Sequence, residues 1–188
     1  MKVEPGAAFD FMSGKLGKIV FRNVNGKLIA SRRPIFTSQP TEAQLAHRER
    51  FRQAAAYGRS VMADPATRAL YQEAADSRGM PIFALIVADY FNAPVIHSID
   101  LSSYAGMANG VITVRALDDF GILDMQIIIT DDQGTPLESG AAHETAPGSG
   151  TWAYVAQSTL MASTLLIKAV AKDRPGGMTV HTETFVKP

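Results

Sequence analysis

The chain has 188 residues, 46% of them hydrophobic and 19% charged, with 18 basic and 18 acidic side chains and no cysteine. That composition excludes a disordered polyelectrolyte, and the absence of thiols excludes disulfides, thiolate metal sites and a cysteine nucleophile. The zero net charge conceals a division: residues 1–90 carry 13 Lys/Arg against 8 Asp/Glu, whereas residues 91–188 carry 5 against 10. An asymmetry of that kind suggests two domains.

The opening stretch, through Lys18, has an early Lys2 but no apolar run of signal-peptide length. The longest apolar run, Ile82 to Ala88, is far shorter than the roughly 20 residues a bilayer requires. The expectation is a protein with no membrane span and a cytoplasmic location by default. Residues 18–33 form two β-prone runs on either side of Asn25-Gly26. Asn and Gly both tolerate the positive φ of a type I′ turn, so this segment is predicted to be a β-hairpin. Pro34 and Pro40 bracket an extended connector. Thr41-Glu42-Ala43-Gln44 then has the pattern of a capping box, which satisfies the free amides of a helix start.

Leu45, Phe51, Ala54, Ala55, Val61 and Met62 give the first helix one broad apolar face, and it should end near Asp64. Asp64-Pro65 is a second start signal and Gly79 a stop, so the next helix should span 65–78. Ile82 to Phe91 is apolar nearly all round, ends at Asn92-Ala93-Pro94, and is expected to be a buried helix. Beyond Pro94 the texture changes to short β-branched runs separated by Gly, Asp and Pro. Strands are predicted near 95–101, 110–117, 124–130, 136–142, 151–157, 164–172 and 178–185. The fold class read from this order is α+β in two domains: a basic hairpin with three helices over 1–93, and a seven-stranded β-sandwich over 94–188.

Two stretches add a resemblance. Val111 to Ile127 and Ile167 to Gly177 look like strands B to C and F to G of bacterial immunoglobulin-like modules, with Ala171, Asp173 and Gly176 matching the pattern that closes strand F. The resemblance covers about half the chain and implies an immunoglobulin-like sandwich. Without the paired cysteines of antibody domains, only the wider sandwich class is implied. Trp152 is expected in the core of the fifth strand, and Asp173 is expected to brace its own turn. The N-terminal half loosely resembles uncharacterised bacterial proteins in which a Gly-Lys-rich hairpin leads into a helix after a Pro-Thr-Glu-Ala-Gln cap. That likeness implies no activity.

Few residues suggest chemistry. His47, His97, His143 and His181 are scattered, without metal-site spacing. Gly148-Ser149-Gly150 is the nearest approach to a nucleophile elbow, but it lies in a predicted sandwich loop. Gly14-Lys15-Leu16-Gly17-Lys18 is too short for a phosphate loop and leads into a strand. Asp118-Asp119 and Asp131-Asp132 offer oxygens for calcium at a sandwich end, yet lack EF-hand spacing, so solvated turns are the expected role. No catalytic group, metal, cofactor or small-molecule substrate is expected.

A cationic set on the hairpin and first helix is the most suggestive feature. Arg22, Lys27, Arg32, Arg33, Arg48 and Arg52 are the candidate residues for binding nucleic acid or a partner, with Lys15, Lys18, Arg50 and Arg59 beside them. Arg22 and Arg32 are expected to share a ribbon face that could enter a DNA groove. Glu42, Glu49, Asp64, Glu73 and Asp76 dilute that field. The opposed charges of the two halves also suit head-to-tail contact between copies, or a match within one monomer. The function expected is that of a non-enzymatic structural or interaction protein, a homo-oligomer assembling through its N-terminal half. The alternative is a nucleic-acid-binding protein.

Overall fold

The computed structural model describes residues 13–24, 27–34 and 39–187. Among the described residues, three helices and three β-sheets make it α+β. The contacts divide the chain into two compact units, Met1–Leu45 and Ala46–Pro188. This break differs from the expected boundary at 93/94. The change of texture at Pro94 marks a switch from helix to strand, whereas a unit boundary falls where few contacts cross, and Phe120, beyond Pro94, packs against the helical core.

In the first unit, β1 (Gly14–Leu16), β2 (Ile19–Val24) and β3 (Lys27–Arg32) form an antiparallel sheet in that order. The expected hairpin is present, with Val24 opposite Lys27, although the Asn25-Gly26 turn itself lies outside the described residues. The Gly-Lys-rich segment folds as a further strand and a tight turn, with Gly17 at φ +57°. Such a φ is easily reached only without a Cβ.

Helix α1 (Glu42–Ala63) opens on the predicted capping box. The Thr41 amide donates to Gln44 Oε1 at 3.1 Å, and the Gln44 amide donates to Thr41 Oγ1 at 3.3 Å. In α2 (Pro65–Ser77), the Thr67 amide donates to the Asp64 cap at 3.1 Å, and Gly79 follows the end at φ +61°. Helix α3 (Ile82–Phe91) follows Pro81. Val61, Tyr71, Ala75, Leu85 and Ile86 form the helical core, with Phe120 from the strand region packed against it. The apolar face read for α1 is only partly covered: Ala54 and Val61 are buried, while Leu45 and Phe51 are exposed. Helix α3 is likewise buried on one side only, at Leu85, Ile86 and Asp89.

Eight strands follow: β4 (Val95–Asp100), β5 (Val111–Leu117), β6 (Ile122–Asp131), β7 (Pro136–Ala141), β8 (His143–Glu144), β9 (Thr151–Val155), β10 (Thr164–Asp173) and β11 (Met178–Val186). Seven lie at the predicted places, and two-residue β8 is additional. They form two four-stranded sheets, β4-β5-β9-β8 and β11-β10-β6-β7. Alternation sets what each sheet buries. Ile112, Val114 and Ala116 of β5 join Met125, Ile127 and Ile129 of β6 and Leu165, Ile167, Ala169 and Ala171 of β10 in one core. An irregularity between Ile96 and Ser98 lets Ile96 and Ile99, three apart, both face inward. Trp152 packs against this core without full burial.

Candidate functional site

Pairing in the N-terminal sheet decides where its cations point. Partners across an antiparallel pair share a face. Arg22 stands opposite Ile29 and Val24 opposite Lys27, so Arg22 and Lys27 lie together on one face. Arg32 stands opposite Ile19, and with Phe21–Ala30 and Asn23–Leu28 it lies on the other. The expectation that Arg22 and Arg32 share a face is therefore corrected. A two-residue connection pairs odd with even positions, so two even-numbered residues on the two strands point oppositely.

Arg33 follows β3, its amide donating to the Lys18 carbonyl at 2.8 Å. In the second unit Arg48 is exposed, and Arg52 pairs with Glu49 at 2.8 Å. Arg50 donates to the Phe91 carbonyl at 2.8 Å, and its guanidinium lies 4.8 Å from the Phe91 ring centre.

The acidic residues of the strand region are mostly engaged in holding loops. Asp100 accepts from the Ser102 amide, Asp118 from Phe120 and Gly121, and Asp131 from Gln133 and Thr135. Glu144 accepts from Gly148 and Gly150, and Asp173 from Gly176 and Gly177. Glu138 accepts from the Gln157 and Ser158 amides and from the Tyr154 hydroxyl, at 2.7, 2.9 and 2.7 Å. Burial works to raise Glu138, but these donors hold it below the usual carboxylate range. Asp173 braces its turn as expected. The Asp118 and Asp131 carboxylates behave as turn acceptors. Ser149 bonds within its own loop, His47, His97 and His143 are exposed, and His181 is half-buried. Among the described residues, no group of three or more His, Asp or Glu side chains is placed to hold a metal ion.

One polar cluster went unread in the sequence. It lies where the helical layer meets the loops joining β5 to β6 and β10 to β11. Asp89 of α3 is 0% exposed, and its Oδ2 accepts a short hydrogen bond from the Tyr71 hydroxyl of α2. The Tyr57 hydroxyl of α1 is 3.2 Å from that of Tyr71. The Tyr71 ring stacks on Phe120 at 3.9 Å between centres, and the Arg174 guanidinium lies 5.9 Å from the Phe120 ring centre. Burial, then the neighbouring charges of Asp118 and Asp173, push Asp89 up to about 7, against the Tyr71 hydrogen bond. Burial and the bonds to Asp89 and Tyr57 push the Tyr71 hydroxyl well above its ordinary value. Tyr71 is thus a firm donor and a poor base or nucleophile. The available signal was Asp89 itself, the one charged residue in the otherwise apolar run Ile82 to Phe91.

No protein-family model matches the chain, and no curated protein sequence matches it. Among solved structures, it is similar to the crystal structure of CopC from Methylosinus trichosporium OB3b, at 16% identity and a TM-score of 0.38 over 50% of this chain and 91% of that one. It is also similar to the crystal structure of a tetra-tandem repeat in the extending region of a large adhesion protein, at 17% identity and a TM-score of 0.35. That second likeness spans 51% of this chain and 24% of the adhesion structure. Among the described residues, no helix is long and apolar enough to cross a membrane.

Proposed function

We propose that the protein is a non-enzymatic interaction protein that associates with copies of itself through the sheet β1-β2-β3 and displays an immunoglobulin-like module. The observation that carries this reading is a three-stranded sheet with exposed Leu16 and Ile19 on one face and exposed Val24 and Ile29 on the other, whose outer strands, β1 and β3, have no further neighbour among the described residues. Open edges template pairing with another strand, and a sheet so small needs further packing for its stability. The second copy is the chosen occupant because it brings the same edges and the same apolar residues, as a self-complementary joint requires.

The immunoglobulin-like reading is supported by strand order. With β4, β5, β9 and β8 as strands A, B, E and D, and β6, β10 and β11 as C, F and G, the two sheets follow the immunoglobulin arrangement, with β7 extending the second. The closed setting of Asp89 and the raised Tyr71 support a structural role for that cluster. The nucleic-acid alternative is weakened by Arg22 and Arg32 pointing oppositely and by the Arg52–Glu49 pair.

Mass photometry across a salt series, with and without duplex DNA, tests the reading. Oligomers without DNA that dissociate in Ile19→Lys are expected. Monomers at every concentration refute self-association, and complexes that form only with DNA and weaken with salt establish the alternative.

A further inference from the structure

The two four-stranded sheets end in β4, β8, β7 and β11, and three of these edges are blunted. β8 is only two residues long, β7 opens on Pro136 and its register with β6 breaks between Ile129 and Thr130, and the register of β4 breaks between Ile96 and Ser98. Short strands, proline and bulges all hinder a foreign strand from pairing. β11 carries none of these devices. Met178–Val186 contains neither proline nor lysine and keeps an unbroken register along β10 from Val186 to Met178. Among the described residues its backbone bonds to β10 alone, and β4 of the facing sheet stands near it without bonding to its free edge.

The order of residues in β11 selects the occupant of that edge. Thr182 is the midpoint of the strand, so a two-fold axis through it lays a second copy antiparallel along the whole of Met178–Val186. Residues directly opposite across such a pair share a face. On the outer face Met178 meets Val186, Val180 meets Thr184, and Thr182 meets its own copy, all of them exposed. On the other face His181 stands opposite Glu183 of the second copy, once on each side of the axis. We propose that β11 is a homodimerising edge, where two copies join antiparallel about Thr182 and merge their β11-β10-β6-β7 sheets into one.

Complementarity fixes the register as well as the partner. Within one chain His181 Nε2 lies 3.4 Å from Glu183 Oε1, and the two-fold joint gives each ring a second carboxylate and each carboxylate a second ring. Moving the axis to residue 181 sets His181 opposite itself, and moving it to residue 183 sets two Glu183 carboxylates face to face; either shift also shortens the overlap. β-branched and apolar pairs on the outer face add the cross-strand packing that stabilises a sheet. A single strand pair covers little area, so the joint is weak and reversible. It is separate from the β1-β2-β3 joint and does not depend on it.

The chain has no cysteine, so one introduced thiol reports the register. The test uses the full chain carrying Ile19→Lys, which removes the N-terminal joint and should leave this dimer standing. There Thr182→Cys should oxidise to a disulfide-linked dimer, because opposite residues of an antiparallel pair lie about 4.5–5.5 Å apart, within disulfide range. Val180→Cys and Thr184→Cys should each stay unlinked alone, since two copies of either position lie about 13 Å apart along the strand, and should cross-link when mixed. Three results overturn the proposal: Thr182→Cys that stays monomeric under oxidant, Val180→Cys that links to itself as readily as Thr182→Cys, and a mixture that does not link. Val180→Lys places a charge on the edge without entering the core and should weaken the sedimenting dimer by about tenfold or more; an unchanged dimer also overturns the proposal. Oligomers lost in Val180→Lys but kept in Ile19→Lys support this joint and refute the N-terminal one.

Discussion

Tyr71→Phe removes a single oxygen and isolates what the buried hydroxyl contributes. The ring remains to stack on Phe120, so the change leaves packing intact and strands Asp89 Oδ2 without its donor. When Asp89 is protonated, the lost bond is neutral and costs about 1 kcal/mol; when it is ionised, the bond is charge-assisted and costs about 2 kcal/mol. Because Asp89 titrates at about 7, the penalty should roughly double between about pH 5 and about pH 8. At about 2–4 °C per kcal/mol for a chain of this size, the variant should melt roughly 2–4 °C lower at the acid end and roughly 4–8 °C lower at the alkaline end. The Asp89 midpoint should also move upward, since the Tyr71 bond favours the ionised form. Calorimetry at several pH values measures both effects. The same loss at every pH would refute the reasoning, because it would mean that Tyr71 does not distinguish the two states of Asp89.

Three other expectations follow from named contacts. In Gly140→Ala the new Cβ would lie 2.7 Å from Tyr154 Cε2, and that ring cannot swing away because its hydroxyl is held by Glu138. A loss of about 1–3 kcal/mol is expected in denaturant melts, and none would mean that β7 yields freely. Glu138→Gln places an amide where two backbone N–H groups donate and should cost about 1–3 kcal/mol, with faster hydrogen exchange at Gln157 and Ser158. The two limbs of the pH profile have opposite signs. Glu138, depressed in the fold, contributes stability above its unfolded value that is lost as pH falls through its folded value. Asp89, raised from 3.8 to about 7, holds a proton the unfolded chain gives up, so stability falls by as much as about 4 kcal/mol as pH climbs through that interval. Melting temperature should therefore peak on the acid side of neutrality, and a plateau through pH 8 would contradict the Asp89 limb.

Much of the architecture was legible because its signals are short-range. A capping box, an Asp-Pro start and a Gly stop act within one helical turn, and the helices began and ended where Thr41, Asp64, Pro65 and Gly79 placed them. Strand spans were legible for the same reason, and within them the pleat alternates Ile112, Val114 and Ala116 of β5 into the core. The charge asymmetry was legible as a number but not as a surface. Six of the ten acidic residues after position 90 (Asp100, Asp118, Asp131, Glu138, Glu144 and Asp173) accept from loop amides, a role that depends on which backbone groups the turn presents.

The sequence by itself determined most of the elements and their order, because hydrogen-bond caps, turn preferences and side-chain periodicity act between neighbours. Tertiary structure decided that Phe120, from a loop, completes the helical core, that β7 leads to β8 in the opposite sheet, and that Asp89 is buried against the Tyr71 hydroxyl. Those outcomes depend on groups far apart along the chain or on which of two sheets a strand joins, both set by the packing of whole elements and not by any local rule.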